Sequence, residues 1–184
     1  MEKEKYVCPP RLSWSLDNYI RKWIHNPHKI FSKYIHDGMT ILDLGCGPGF
    51  FIASFAEMTG SGGQVIAADL QEEMLEKVKK KIKGKKIENR ILFHKCMNDS
   101  IGIETNVDFV NAFYMVHEVP DSSKLIKEVY SILKAGGILF LTEPKFHVSK
   151  KDFINTVIFA ESIGFKIIER PGIFMSRTAV FVKQ

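Results

Sequence analysis

The run Met39–Thr40–Ile41–Leu42–Asp43–Leu44–Gly45–Cys46–Gly47–Pro48–Gly49–Phe50 is where the fold class of this chain is written. It opens with the apolar character of a buried parallel strand. It then passes through three alternate glycines into an amphipathic segment, Phe51 to Met58. Small residues at such a turn let the backbone approach a ligand closely, and the unpaired N–H groups of the following helix face negative charge. A strand, a glycine turn and a helix in that order make a nucleotide cradle.

Two readings compete for the turn. The dinucleotide fingerprint is G-x-G-x-x-G/A and belongs to NAD(P)-binding oxidoreductases. Here the spacing is Gly45-x-Gly47-x-Gly49, a bulky Phe50 follows, and Asp43 stands two residues before the first glycine. This pattern resembles motif I of the class I S-adenosylmethionine-dependent methyltransferases. The resemblance implies that the loop holds the methionine half of the cofactor and that Asp43 helps receive its ammonium.

Further along, Gly60-Ser61-Gly62-Gly63 breaks the chain, and Gln64 to Asp69 reads as a second buried strand ending in a carboxylate. An acid at that tip can accept hydrogen bonds from both ribose hydroxyls; the competing role is a cap for the helix that follows at 71–83. Arg90 to Lys95 is the third strand. The methyltransferase family commonly has an acidic residue after this strand, at the adenine, whereas here Met97 and Asn98 hold the place. Met97 can pack on the base and Asn98 can read its edge, and Asp99 can replace the missing acid if the loop is longer.

Asp108 to Phe113 is the fourth strand, and the segment Tyr114–Met115–Val116–His117–Glu118–Val119–Pro120–Asp121 resembles the family's post-strand motif. A helix at about 121–133 leads into Leu133–Lys134–Ala135–Gly136–Gly137, similar to the family's "L-K-x-G-G" turn into strand five. After a helix at about 149–162, two strands, 164–169 and 177–182, are separated only by a short loop with Arg170-Pro171-Gly172, so they run antiparallel. The resemblance therefore implies an α/β, Rossmann-like, doubly wound seven-stranded sheet in the order 3-2-1-4-5-7-6, with strand 7 antiparallel. It covers about residues 39–182 and lies nearest the small ubiquinone/menaquinone-biosynthesis type. It implies a cofactor site of Asp43, Gly45, Gly47, Asp69, Leu70, Met97, Asn98 and Ala112, with S-adenosylmethionine as cofactor and S-adenosylhomocysteine as product.

Before this core, Ser13 to His25 predicts a helix with Leu16, Tyr19, Ile20 and Trp23 on one face. Asn26-Pro27 starts a second, carrying Ile30, Phe31, Tyr34 and Ile35 and ending at Asp37-Gly38. Residues 1–38 thus form an N-terminal helical segment that covers a sheet edge, acts as a lid, or does both; residues 39–184 form the cofactor-binding domain, and the whole is one domain.

Composition excludes several classes. No apolar run approaches the ~20 residues of a membrane-spanning helix, and the charged start leads into no signal core, which points to the cytoplasm. Cys8, Cys46 and Cys96 are scattered and read as reduced thiols. The net charge is +5, yet seven lysines lie between positions 77 and 86, and +5 less seven leaves −2 for the remainder. Such a cluster suits the solvated end of a helix better than a nucleic-acid face, because no aromatics are interleaved.

In-line transfer from a sulfonium chiefly needs alignment, worth roughly 7–11 kcal/mol. A base is needed only for an acceptor that must lose a proton. His117 is the candidate base, the alternative being a histidine that packs or caps a turn; Glu143 is a second candidate. The six histidines show no metal-ligand spacing, so no metal is expected. Cys46 fits as a small buried loop residue, and Trp14, Tyr19, Trp23 and Tyr114 line an acceptor pocket or the core. The expected function is methyl transfer to a small-molecule acceptor. A catalytically silent methyltransferase-like subunit and an oxidoreductase are the alternatives, with nucleic-acid or protein methylation behind them.

Overall fold

The computed structural model describes residues 25–184. The expected helix at 13–25 lies, but for its last residue, outside the described residues, as do Trp14, Tyr19, Trp23 and Cys8. Asn26 caps α1 (Pro27–Phe31) as the Asn-Pro pair predicts, its side chain accepting from the Lys29 N–H at 3.1 Å. The helix is shorter than expected. After Phe31 the chain turns, and Tyr34 and Ile35 reach the core from that turn.

The remaining elements follow the sequence pattern closely. They are β1 (Thr40–Leu44), α2 (Ile52–Met58), β2 (Gln64–Asp69), α3 (Glu72–Ile82), β3 (Ile91–Lys95), β4 (Val107–Phe113), α4 (Ser122–Ile132), β5 (Leu133–Pro144), α5 (Lys150–Ser162), β6 (Phe165–Glu169) and β7 (Ser176–Lys183). The sheet order is β3-β2-β1-β4-β5-β7-β6. Strands β1 to β5 pair in parallel, and β7 runs antiparallel to both β5 and β6. The reading of strand order and of the reversed strand matches the fold.

Apolar residues alternate to both faces of the sheet, so each face carries its own core. One is built on Leu42, Val110, Leu139 and Phe181 beneath α4 and α5. The other is built on Ile41, Phe109, Phe140 and Val180 beneath α1, α2 and α3. Phe31 anchors the second core, meeting Phe51, Phe55, Phe109 and Phe140 at centroid distances of 4.8–6.0 Å in edge-on geometry, a favoured arrangement of aromatic quadrupoles. The segment before β1 is further tied to β6, with Lys33 and Tyr34 both bonded to Glu169 at 2.5 and 2.9 Å.

Helix α3 buries Met74, Leu75, Val78 and Ile82, and its Lys81 donates to the Gly49 carbonyl at 3.2 Å. Glu72 and Glu73 lie in its first turn and Lys79, Lys80 and Lys81 in its last, in the sense the helix dipole favours. Lys79 pairs with Glu76 at 2.7 Å. No helix among the described residues is long and apolar enough to cross a membrane.

Candidate functional site

In an open α/β sheet the carboxyl ends of the strands carry the ligand, and here the tips of β1 to β4 enclose a cavity of about 910 Å³. That volume lies near the top of the ~300–1,000 Å³ common for ligand pockets. The glycine loop forms its floor. Gly45, Gly47 and Gly49 have φ of 68°, 53° and 77°, a region L side chains rarely adopt. Their surroundings differ. A Cβ on Gly45 would come within 2.7 Å of the Met115 Cβ, and one on Gly49 within 2.9 Å of Val78. A Cβ on Gly47 would meet nothing within 4 Å. The outer glycines thus permit close packing, and the middle one keeps the backbone bare where it faces open space.

Asp69 secures this loop. One carboxylate oxygen accepts the Gly47 N–H at 2.8 Å, and the other accepts the Gln71 N–H at 2.9 Å. The N-cap of α3 is Gln71, so Asp69 is a clamp between the glycine loop and the start of α3 rather than the cap itself. A carboxylate offers about four acceptor sites, so beside these N–H groups Asp69 can still accept from a ligand hydroxyl. Burial pushes the Asp69 carboxyl above its ordinary pKa, against the N–H groups of Gln71, Gly47 and Leu70, which pull it down.

Asp43 is 2 % exposed and lines the cavity. Its register partner on β4 is Asn111, whose side-chain N–H donates to it at 2.7 Å. Asn111 is wholly buried and escaped the sequence reading. Its signal was an amide in the midst of the apolar strand Val107 to Phe113.

The loop after β3 supplies another wall. Cys96 N–H donates to the Asp69 carbonyl at 2.9 Å, and Met97 bridges Ser100, which turns the chain tightly. The turn is braced from both sides. Glu128 accepts the Ile101 N–H at 2.6 Å, and a His94 ring nitrogen meets the Ile101 carbonyl at 2.6 Å. Leu70, Met97, Asn98 and Asp99 all line the cavity, and Asp99 also pairs with Lys124 at 3.4 Å. Met97 is 59 % exposed, an apolar side chain left open on this wall. Both thiols of the wall are suppressed as nucleophiles: burial, then Asp43 and Asp69, pushes Cys46 well up, and burial first pushes Cys96 up to about 12.

The segment after β4 divides. Tyr114, Met115, Glu118 and Val119 face the cavity. Tyr114 holds φ at 65°, an uncommon backbone for a bulky residue, and its hydroxyl bonds the Ser176 hydroxyl at the start of β7. His117 is not among the lining residues; it turns to the β5 side, where its Nδ1 bonds the carboxylate of Glu143. Glu143 is 3 % exposed, and its second oxygen accepts the Val116 N–H at 2.9 Å. The His147 ring lies nearly parallel to that of His117 at 5.7 Å. Ala112 is 1 % exposed and sits under the site rather than on its wall. The site residues named from the sequence therefore converge on one cavity, with His117 and Ala112 beside it.

A family profile described as "Methyltransferase domain" matches residues 35–169, most of the chain. The chain is 26% identical over 153 residues to the ubiquinone/menaquinone biosynthesis C-methyltransferase UbiE of Shewanella frigidimarina, covering 83% of this chain and 59% of that protein. With the protein of the same name from Pectobacterium carotovorum it is 28% identical over 152 residues, covering 79% and 59%. The chain thus spans about three-fifths of these relatives' length. Among solved structures, a SAM-dependent methyltransferase from Aquifex aeolicus superposes with a TM-score of 0.84 at 23% identity, over 96% of this chain and 98% of that one. The Methanococcus jannaschii fibrillarin pre-rRNA processing protein shares the fold at a TM-score of 0.70 and 19% identity, over 88% and 76%. Sheet order, glycine loop and strand-tip cavity define a nucleotide-cradling α/β transferase fold. The chain belongs to the class I S-adenosylmethionine-dependent methyltransferases.

Proposed function

We propose that this protein transfers a methyl group from S-adenosylmethionine to a small-molecule acceptor. The observation that carries the reading is the junction of Gly47 and Asp69, a bare backbone and a buried carboxylate meeting at the floor of a cavity of about 910 Å³. The residues present suit the cofactor. The glycine loop and Asp43 would hold its methionine tail, Asp69 its ribose, and Leu70, Met97 and Asn98 its adenine, with Ala112 beneath. When bound, the cofactor supplies an activated methyl on a positively charged sulfur.

The rest of the task falls to the chain. Phe50, Phe51, Phe113 and Tyr114 present rings on the cavity wall, which exclude water and hold an acceptor in line. His117 is proposed as the proton acceptor for a substrate that must be deprotonated. Glu143 accepts from its Nδ1–H, which leaves Nε2 as the basic nitrogen. A second role is favoured by the turn of His117 away from the wall: Glu143 then serves to brace the loop that carries Tyr114 and Glu118.

The test is calorimetry with S-adenosylmethionine and S-adenosylhomocysteine, followed by mass spectrometry of a metabolite extract for acceptors heavier by one methylene unit. One cofactor site per chain and labelled-methyl transfer are expected. No binding of either compound overturns the proposal. Binding without turnover on any acceptor identifies the catalytically silent subunit instead.

A further inference from the structure

Apart from the cavity, bulky apolar side chains are exposed where β5 ends and β7 begins. Phe146 is 74 % exposed, Phe174 64 % and Met175 37 %. The antiparallel register brings them together. Pro144 pairs with Ser176, and the Lys145 N–H donates to the Met175 carbonyl at 3.0 Å, which carries the ladder one pair past the strands. Phe146 and Phe174 are the next residues on either side, so they share one rim.

The rim is braced. Arg177 donates to the Val148 carbonyl at 3.0 Å, and the Ser176 hydroxyl to the Phe174 carbonyl at 2.9 Å. A single exposed apolar residue needs no explanation, but neighbouring ones held out by a fixed backbone mark an interaction surface.

Charge selects the partner. Lys145, Lys150, Lys151 and Arg170 are exposed on the same two loops and the helix start that follows. Asp152 is the sole acid within residues 145–152 and 170–177, and it is engaged with Ser149 at 2.7 Å. Aromatic tips ringed by cations fit an anionic bilayer surface, where rings enter the boundary between headgroups and acyl chains while lysine and arginine stay at the phosphates. A protein groove would have to desolvate those cations. We infer that the Phe146–Phe174 rim docks this protein on anionic lipid. The rim adjoins the cavity through the bond between Ser176 and Tyr114, which lines it, so docking presents the site's β7 side to the membrane.

The experiment is co-sedimentation of the full chain with vesicles of phosphatidylcholine alone and of phosphatidylcholine mixed with phosphatidylglycerol. Binding is expected only to the anionic vesicles, and should weaken with added salt. The double variant Phe146→Ser/Phe174→Ser should lose it by roughly ten-fold or more, with an unchanged melting temperature because both rings are exposed. Lys145→Glu/Lys151→Glu should also weaken it. Lys83→Glu/Lys85→Glu/Lys86→Glu, at the opposite end of the sheet, should not. Failure to sediment with anionic vesicles overturns the inference, as does binding that survives the phenylalanine variant or is lost with the distant lysines. So does self-association that the phenylalanine variant abolishes while vesicles are ignored. None of these outcomes depends on the methyl-transfer reading.

Discussion

Asp69 is placed to combine two tasks in one carboxylate, the first structural and the second the proposed grip on the cofactor. It ties Gly47 to the start of α3, and its remaining lone pairs are what a ribose would use. Asp69→Asn removes the charge and offers one acceptor oxygen where two backbone N–H groups need one each. The cofactor affinity of that variant should fall by about 1.5–3 kcal/mol, the range for hydrogen bonds to a charged group; titration calorimetry reads this directly. The pH dependence has a definite sign. Burial raises the native carboxyl's pKa, so the folded state holds this proton more tightly than the unfolded chain. Its contribution to stability is therefore lost as pH rises from the unfolded pKa through the raised folded one. If Asp69 holds the ribose as proposed, binding needs its carboxylate, so wild-type affinity should drop on acidification at a higher pH than an ordinary aspartate would give, and Asp69→Asn should lack that limb.

At the scale of elements, the segment between β4 and α4 is constrained from outside itself. Tyr114 at one end is held by β7, and Val116 and His117 are held by Glu143 at the end of β5. Glu143→Gln keeps the shape and can still accept the Val116 N–H, but loses the charge that favours a protonated His117. If His117 accepts the substrate proton, the alkaline-going limb of the pH–rate profile should move to lower pH in Glu143→Gln and vanish in His117→Ala. A profile unaltered in both variants, with a raised KM alone, would assign the pair to loop bracing.

For the molecule as a whole, the cavity joins the tips of four strands that no single helix connects. A ligand there links β1, β2, β3 and β4 and should stabilise them together. At about 100 times its Kd, S-adenosylhomocysteine should add roughly 2.7 kcal/mol to unfolding, seen as a higher melting temperature by calorimetry; Asp69→Asn should blunt that rise. The charge distribution belongs to this scale too. Lys83, Lys85 and Lys86 follow the end of α3, away from the strand tips, while the cations near Phe146 stand where β5 ends.

Much of this was legible in one dimension because its signals are local. Strand hydrophobicity, the Gly45-x-Gly47-x-Gly49 spacing, the carboxylate ending β2 and the short connection between β6 and β7 each depend on neighbours in sequence. They carried the class of fold, the strand order implied by resemblance, and the floor of the site. The length of α1 was misread, since the packing of Phe31, Tyr34 and Ile35 against a distant core outweighs helical periodicity there. Long-range partners were not legible at all. Asn111 finds Asp43 across a strand pair 68 residues apart, Glu143 turns His117 off the cavity wall, and antiparallel register sets Phe146 beside Phe174. The chain's own pattern determined which residues stand at the strand tips; only folding decided which way each side chain faces, because that depends on contacts between segments whose separation the order of residues does not encode.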